Sequence, residues 1–176
     1  MDPNAFQLAA HGLVLRQWTS DDLDVMQELF DDPDVAYRTP LESPFDQAAA
    51  LRYLHSAQQA RRGNERIHLA ITTDGQQALG EVLLNQATGS IGYIVGAAHR
   101  GQRLALRALR AVTEYAHTNI ALSRVILEIE PGNHASIAVA RSAGFHPTSS
   151  APETVADKGR TYELLTWEHR LTTGRD

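Results

Sequence analysis

Gly92-Tyr93-Ile94-Val95-Gly96-Ala97-Ala98-His99-Arg100-Gly101-Gln102-Arg103-Leu104-Ala105 brings together the residue types that hold phosphate. A short apolar strand runs into a basic, glycine-bearing turn, and the turn opens into a helix. A helix N-terminus leaves backbone N–H groups unpaired and carries partial positive charge. Gly101 lets backbone approach an anion closely, and Arg100 and Arg103 add charge. The chemistry this points to is a cradle for the phosphate oxygens of a phosphorylated cofactor. A basic helix start also occurs simply solvated, so its context decides. Further along, Pro131-Gly132-Asn133-His134-Ala135-Ser136 breaks a second strand into a second helix.

Other groups could move protons. Glu81, Glu128, Glu130 and His68 lie in strand-like segments and are candidate general bases, though strand carboxylates are more commonly solvated or paired. Arg100, Arg103, Arg107 and Arg110 form one helical stripe. Without interleaved aromatic residues, and with a net charge of −5, the stripe reads as a solvated face rather than a nucleic-acid surface. The 8 histidines show no ligand spacing on one helix and no HExxH, so no metal is expected. The absence of cysteine excludes a thiol nucleophile, a disulfide framework and a cysteine-based zinc site.

The elements that must position these groups follow from periodicity. Leu13 to Trp18 predicts a first strand, and Thr19-Ser20-Asp21-Asp22 offers N-cap chemistry for a helix with Leu23, Met26, Leu29 and Phe30 at helical spacing. Asp32-Pro33 stops it. A second helix is expected from Pro44 to Arg62, ending at Gly63. Strands are predicted at Ile67 to Ile71, Ala78 to Leu84, Ser90 to Val95, Val125 to Glu130 and Thr161 to Leu171. The helix opened by Gly101 aligns Leu104, Ala105, Ala108, Leu109, Val112 and Ala116 on one side. A short helix runs from Ala135 to Ala143, with Gly144 as its C′ residue. The order β-α-α-β-β-β-α-β-α-β predicts an α/β domain with a mixed sheet flanked by helices.

A chain of 176 residues with 43% apolar and 21% charged residues fits one globular domain. That domain is expected over 12–171, with 1–11 and 172–176 as flexible termini. No apolar run approaches the roughly 20 residues needed to span a bilayer. Met1-Asp2-Pro3-Asn4 lacks the basic and apolar parts of a signal peptide. A cytoplasmic location is expected, with no membrane or nucleic-acid partner and with exposed sheet edges that make a homodimer plausible.

The chain resembles the GNAT superfamily of N-acetyltransferases, and within it the branch of Rim-type ribosomal-protein N-terminal acetyltransferases. The resemblance rests on Arg100-Gly101-Gln102-Arg103-Leu104-Ala105, on Asn133-His134-Ala135-Ser136, on Ala143-Gly144-Phe145 and on Leu13-Val14-Leu15-Arg16. It implies the GNAT acyl-CoA N-acyltransferase fold, whose central strands splay apart, and acetyl-CoA as cosubstrate without a metal. Backbone groups of Ile94 and Val95 would pair with pantetheine, one N–H serving as an oxyanion donor. The pyrophosphate would sit on Arg100, Gly101, Gln102, Arg103, Leu104 and Ala105. Asn133 would bond the pantetheine arm, or act as an ordinary helix cap.

The chain departs from the family pattern in places. Arg103 stands where the signature usually has glycine, at a position expected to be a first-turn helical residue that tolerates a side chain. Ala140 stands where many members carry a tyrosine that protonates the leaving thiolate. Ser136 matches a serine given that role in the Rim-type branch, or is only a helix residue. The branch's catalytic glutamate falls on Val155, with Glu153 nearby but out of register. Glu81 is then the chosen base, because its strand borders the acceptor side in the family. The expected activity is acetyl transfer by direct attack of a primary amine, either a peptide N-terminus or a small-molecule amine. Near pH 7.5 an α-amine is about one third neutral and a lysine-type amine on the order of 0.1%, so an N-terminus asks less of a base. The alternatives are a non-catalytic acyl-CoA binding or sensing module, and a turn for another phosphate ligand such as a nucleotide. The second lacks the Walker A lysine pattern.

Overall fold

In the computed structural model, which describes residues 6–172, five antiparallel strands lie side by side in chain order. They are β1 (Gln7–Ala10), β2 (Leu13–Gln17), β3 (Arg66–Thr72), β4 (Gly80–Asn85) and β5 (Ile91–Val95). Strand alternation sorts their side chains into two layers. Leu15 opposite Ile71, and Leu69 opposite Val82, face the apolar stripe of α4 (Leu104–Thr118). Ala70 sits opposite Glu81 on the other face. There α1 (Leu23–Phe30), α2 (Pro33–Arg38) and α3 (Gln47–Arg62) cover a second core built on Trp18, Met26, Phe30, Phe45 and Leu54.

The second sheet holds β6 (Arg124–Ile129), β7 (His146–Pro147) and β9 (Arg160–Arg170) in the order β6-β9-β7, and β8 (Glu153–Asp157) pairs β9 as a hairpin. Short helix α5 (His134–Ser142) links β6 to β7. The two sheets touch at a parallel bridge between Ser90 and Ile126, where the Ile126 N–H donates to the Gly89 carbonyl at 2.9 Å. A Cβ on Gly89 would lie 2.7 Å from the Arg124 oxygen, so a glycine is needed for this approach. Beyond the bridge, β5 and β6 have no ladder between them and part. The splayed α/β fold expected from the sequence is present.

Several details differ from expectation. The segment read as a loose N-terminal arm contains β1, held to β2 by the left-handed pair His11 and Gly12 (φ 52° and 68°), which matches a tight hairpin. Only residues 1–5 and 173–176 of the expected termini lie outside the described residues. Pro33 does more than stop α1. It takes the first position of α2, while the Asp32 side chain accepts the N–H groups of Asp34 and Val35. Helix α4 begins at Leu104 rather than Gly101, and β7 and β8 were not foreseen.

Candidate active site

Helix α4 starts without a side-chain cap, and Arg103 is its N-cap residue in the left-handed region (φ 57°, ψ 24°). That corrects the expectation of a helical residue at 103. The position calls for a backbone that glycine adopts freely and other L-residues adopt at a cost of about 1–2 kcal/mol. Gly101 is also left-handed, at φ +84°, with open space where a Cβ would point. The turn thus exposes the first N–H groups of α4 beside Arg100, Gly101, Gln102 and Arg103. Arg100, Gly101, Arg103 and Leu104, with Ala135, Ala138 and Val139 of α5, border a cavity of about 400 Å³. Leu104 is buried at 2% exposure, so its contribution to the turn is its backbone. Arg100 is half exposed and pairs with Asp34 of α2 at 3.3 Å. The rest of the arginine stripe is tied down. Arg107 donates to the carbonyls of His11 and Gly12, and Arg110 donates to that of Ser142.

From this turn a channel runs along the gap between β5 and β6. A middle cavity of about 210 Å³ shares Val95, Arg100, Ala105, Ala135 and Val139 with the first. It shares Tyr93, Ile94, Asn133 and Ser136 with a third cavity of about 340 Å³ that reaches Glu81, His68 and Glu128. Hydrogen bonds fix which backbone groups of β5 face the gap. The Gly96 N–H donates to Leu79 and the Asn85 N–H donates to Ser90. In an antiparallel ladder the alternate residues between these bonds turn the other way. The peptide groups of Ile94 therefore face Glu81 in β4, and those of Tyr93 and Val95 face the gap. Of the two residues named for pantetheine pairing, Val95 presents its backbone to the channel and Ile94 only its side chain.

Asn133 and Ser136 sit together at the start of α5. The Asn133 Oδ1 accepts the Ser136 N–H at 3.2 Å, so Asn133 is the helix cap, and its Nδ2 is the group left to meet a ligand. The position of the family glutamate is held by Val155. Val155 is a half-buried strand residue opposite Tyr162 and carries no acid. Glu153, set aside on register, is brought beside Glu128. Partial burial raises the Glu128 pKa above the ordinary carboxylate value, the Ser90 hydroxyl at 3.1 Å opposes the shift, and Glu153 adds to it. Glu130 is neutralised by Arg160 at 2.8 Å and Arg38 at 3.5 Å, which removes it as a free base.

Glu81 is 1% exposed, yet it lines the third cavity. Its Oε2 accepts the Trp18 indole N–H at 2.7 Å and its Oε1 accepts the Tyr53 hydroxyl at 2.5 Å. The Tyr53 oxygen lies 3.1 Å from His68 Nδ1, and His68 Nδ1 lies 3.6 Å from Glu81 Oε2. Burial, followed by the nearby Glu81 charge, pushes the Tyr53 pKa well above 10, so Tyr53 remains a neutral donor. A buried carboxylate with two neutral donors and a histidine for neighbours is a placed acceptor for a proton or a cation. Trp18 and Tyr53 were not foreseen as part of this site. A buried indole N–H requires a partner, which was the one available signal. His68 also lines a separate cavity of about 320 Å³ with Gln17, Gln58 and Arg61, and so stands between two cavities.

Comparison with known proteins agrees with this geometry. A family profile described as an acetyltransferase (GNAT) domain matches residues 12–146. "Probable N-acetyltransferase YjcK" of Bacillus subtilis is 32% identical over 103 residues, covering 54% of this chain and 57% of that protein, little more than half its length. "Uncharacterized N-acetyltransferase p20" of Bacillus licheniformis is 26% identical over 160 residues, covering 86% of this chain and 89% of that one. Mycobacterium smegmatis RimJ in complex with CoA-disulfide superposes with a TM-score of 0.78 at 19% identity, covering 94% of this chain and 86% of that one. RimL, a ribosomal L7/L12 α-N-protein acetyltransferase in complex with coenzyme A, gives 0.80 at 17% identity, covering 96% of this chain and 100% of that one. The matched span contains the parted strands, the uncapped α4 turn and the start of α5, and the chain belongs to the GNAT acetyltransferase family.

Proposed function

We propose that the protein transfers acetyl from acetyl-CoA to a primary amine by direct attack, with a peptide N-terminus as the acceptor. The observation that carries this is the continuous channel from the uncapped α4 turn, through the gap beside Val95 and Ser136, to buried Glu81. The residues present fit acetyl-CoA. Free N–H groups at the turn, with Arg100 and Arg103, suit a pyrophosphate. The Val95 peptide and the Asn133 amide suit an extended amide-bearing arm. Acetyl-CoA, when bound, supplies an activated acetyl group on a thioester.

Each protein group then has a task. The gap-facing N–H of Val95 polarises a carbonyl beside it. Glu81 receives the proton that the attacking nitrogen must lose, while Trp18 and Tyr53 hold the carboxylate still. Ser136 lies on the opposite wall, where the sulfur departs. An α-amine is favoured as acceptor because about one third of it is already neutral near pH 7.5. RimL, a ribosomal L7/L12 α-N-protein acetyltransferase that shares the fold, supports the same acceptor class by analogy.

Calorimetric titration of acetyl-CoA into the purified protein, followed by a panel of amines read by thiol release, tests the proposal. Micromolar binding with turnover on peptides bearing a free N-terminus, and none on the same peptides N-acetylated, is the expected result. Turnover only on small amines would move the acceptor class. Binding without turnover on any amine would make the protein an acyl-CoA binding module, and absence of binding would remove the acetyl-transfer proposal.

A further inference from the structure

We propose that the Tyr93 hydroxyl is the hydrogen-bond donor that meets the departing sulfur of the acyl donor, an assignment that rests on the acetyl-transfer proposal above. Four buried side-chain polar atoms among the described residues make no hydrogen bond: Gln86 Nε2, Tyr93 Oη, Thr113 Oγ1 and Trp167 Nε1. Only Tyr93 among them lines the channel. A buried hydroxyl left unpaired costs about 1–3 kcal/mol, so a persistent one at a ligand channel points to a partner that arrives with the ligand.

The position of Tyr93 narrows what that partner is. Tyr93 borders both the middle cavity and the Glu81 cavity, which places it where the cofactor arm ends and the acceptor space begins. Ser136 borders the same two cavities from the α5 wall; its side chain is near enough to the Tyr93 hydroxyl to oppose the effect of burial, but the two hydroxyls do not meet in hydrogen-bonding geometry. In the β4–β5 ladder Glu81 pairs with Ile94 and Val82 pairs with Tyr93, so Glu81 and Tyr93 project from opposite faces of the sheet at adjacent rungs. A reacting centre in the gap between them has a proton acceptor on one side and a hydroxyl donor on the other. Ala140 of α5, fully buried, offers no donor.

The amine nitrogen forms the C–N bond and its proton passes to Glu81. The C–S bond breaks, and its electron pair moves onto sulfur, which accepts the Tyr93 O–H hydrogen bond. Burial raises the Tyr93 pKa above 10, whereas a thiol ionises near about 8.5. The proton therefore stays on Tyr93, and the product leaves as a thiolate that is protonated by solvent. The proton on Glu81 also returns to solvent, and the pair is restored.

The test compares CoA with desulfo-CoA, which lacks only the sulfur, by calorimetry at pH 9, where a free thiol is mostly thiolate. Wild type is expected to bind CoA about tenfold more tightly than desulfo-CoA, the range of a hydrogen bond to a charged acceptor. Tyr93→Phe should bind both with the affinity wild type shows for desulfo-CoA. Its ligand-free Tm should be equal or higher, because an unpaired hydroxyl has been removed. Its kcat should fall about tenfold or more with the amine KM within about twofold. A CoA preference that persists in Tyr93→Phe, or that is absent from wild type, overturns the assignment. Loss of the preference in Ser136→Ala but not in Tyr93→Phe gives the role to Ser136 and equally overturns it. If wild type binds neither compound, the acetyl-CoA proposal itself has failed.

Discussion

The two ends of the channel are built on opposite principles. Around Glu81 the polar groups are bonded to one another: Trp18 and Tyr53 donate to the carboxylate, and His68 stands against Tyr53. Along the gap and at the other end they are left open. The α4 turn has no side-chain cap, the β5 peptide groups of Tyr93 and Val95 have no strand beside them, and the Tyr93 hydroxyl has no partner. A closed network is rigid before anything binds, and it fixes where a proton goes. An open set of donors gains its bonds only when a ligand supplies acceptors. On the proposed reaction, the donor end suits one molecule rich in phosphate and amide oxygens, and the acceptor end suits a proton transfer while saying less about the body that carries the amine.

The largest expected effect breaks the closed end. Glu81→Gln keeps the shape but removes the proton acceptor, and turns an NH2 group toward the Trp18 and Tyr53 donors. Turnover on an amine substrate should fall by about 10²-fold or more. Stability should fall by about 1–3 kcal/mol, because one buried donor loses its acceptor. Acetyl-CoA affinity should stay within about twofold, since nothing at the open end is touched. Steady-state kinetics, urea unfolding and calorimetry read the three quantities separately. Turnover that survives Glu81→Gln would make the Glu81 network a structural device and move the base to the Glu128–Glu153 pair.

A smaller effect sharpens the open end. Arg103 holds a left-handed backbone that glycine adopts without a Cβ clash. Arg103→Gly relieves that clash while it removes a charge from the turn. The expected result is a Tm unchanged or raised, with acetyl-CoA affinity weakened about three- to tenfold through one lost phosphate contact. Unchanged affinity would mean that the backbone N–H groups and Arg100 hold the phosphates without help from Arg103.

Legibility from sequence follows the same division. The open end is local: glycine, arginine, asparagine and serine sit next to each other along the chain, and the turn chemistry of each is set by its immediate neighbours. The α4 turn and the Asn133 cap of α5 could therefore be found by inspection. The closed end is assembled across the fold. Trp18 reaches Glu81 over 63 residues and Tyr53 reaches it over 28, and no periodicity relates them. Trp18 reads as core because it is core, buried at 4% exposure, and its N–H bond is added to that role. Strand β1 shows the same limit in the fold itself. Gln7-Leu8-Ala9-Ala10 has little strand character, and its pairing with β2 makes it a strand. At Arg103 the local rule itself misled, because a residue type that favours helices holds a conformation glycine would hold.

The smallest effect lies away from the channel and serves as its control. The His117 Nδ1 lies 2.6 Å from the Leu122 carbonyl, and a carbonyl only accepts, so that nitrogen donates. The other ring nitrogen, Nε2, lies 3.0 Å from His169 Nδ1. Burial first, then His117 from α4 and His146 from β7, lowers the His169 pKa below its ordinary 6.5. The unfolded chain binds this proton before the folded one as pH falls. Stability from neutral His169 is therefore complete above 6.5 and is lost as pH falls from 6.5 toward the lower folded value. His169 is half-buried and partly screened by solvent, so the Tm change between pH 7.5 and 5.5 assigned to it should not exceed about 2 °C. His169→Gln should reduce that slope without altering acetyl-CoA affinity or turnover at pH 7.5. A change in either would mean that the β9 end of the second sheet is coupled to the gap, and that the contrast between a closed and an open end does not stop at the channel walls.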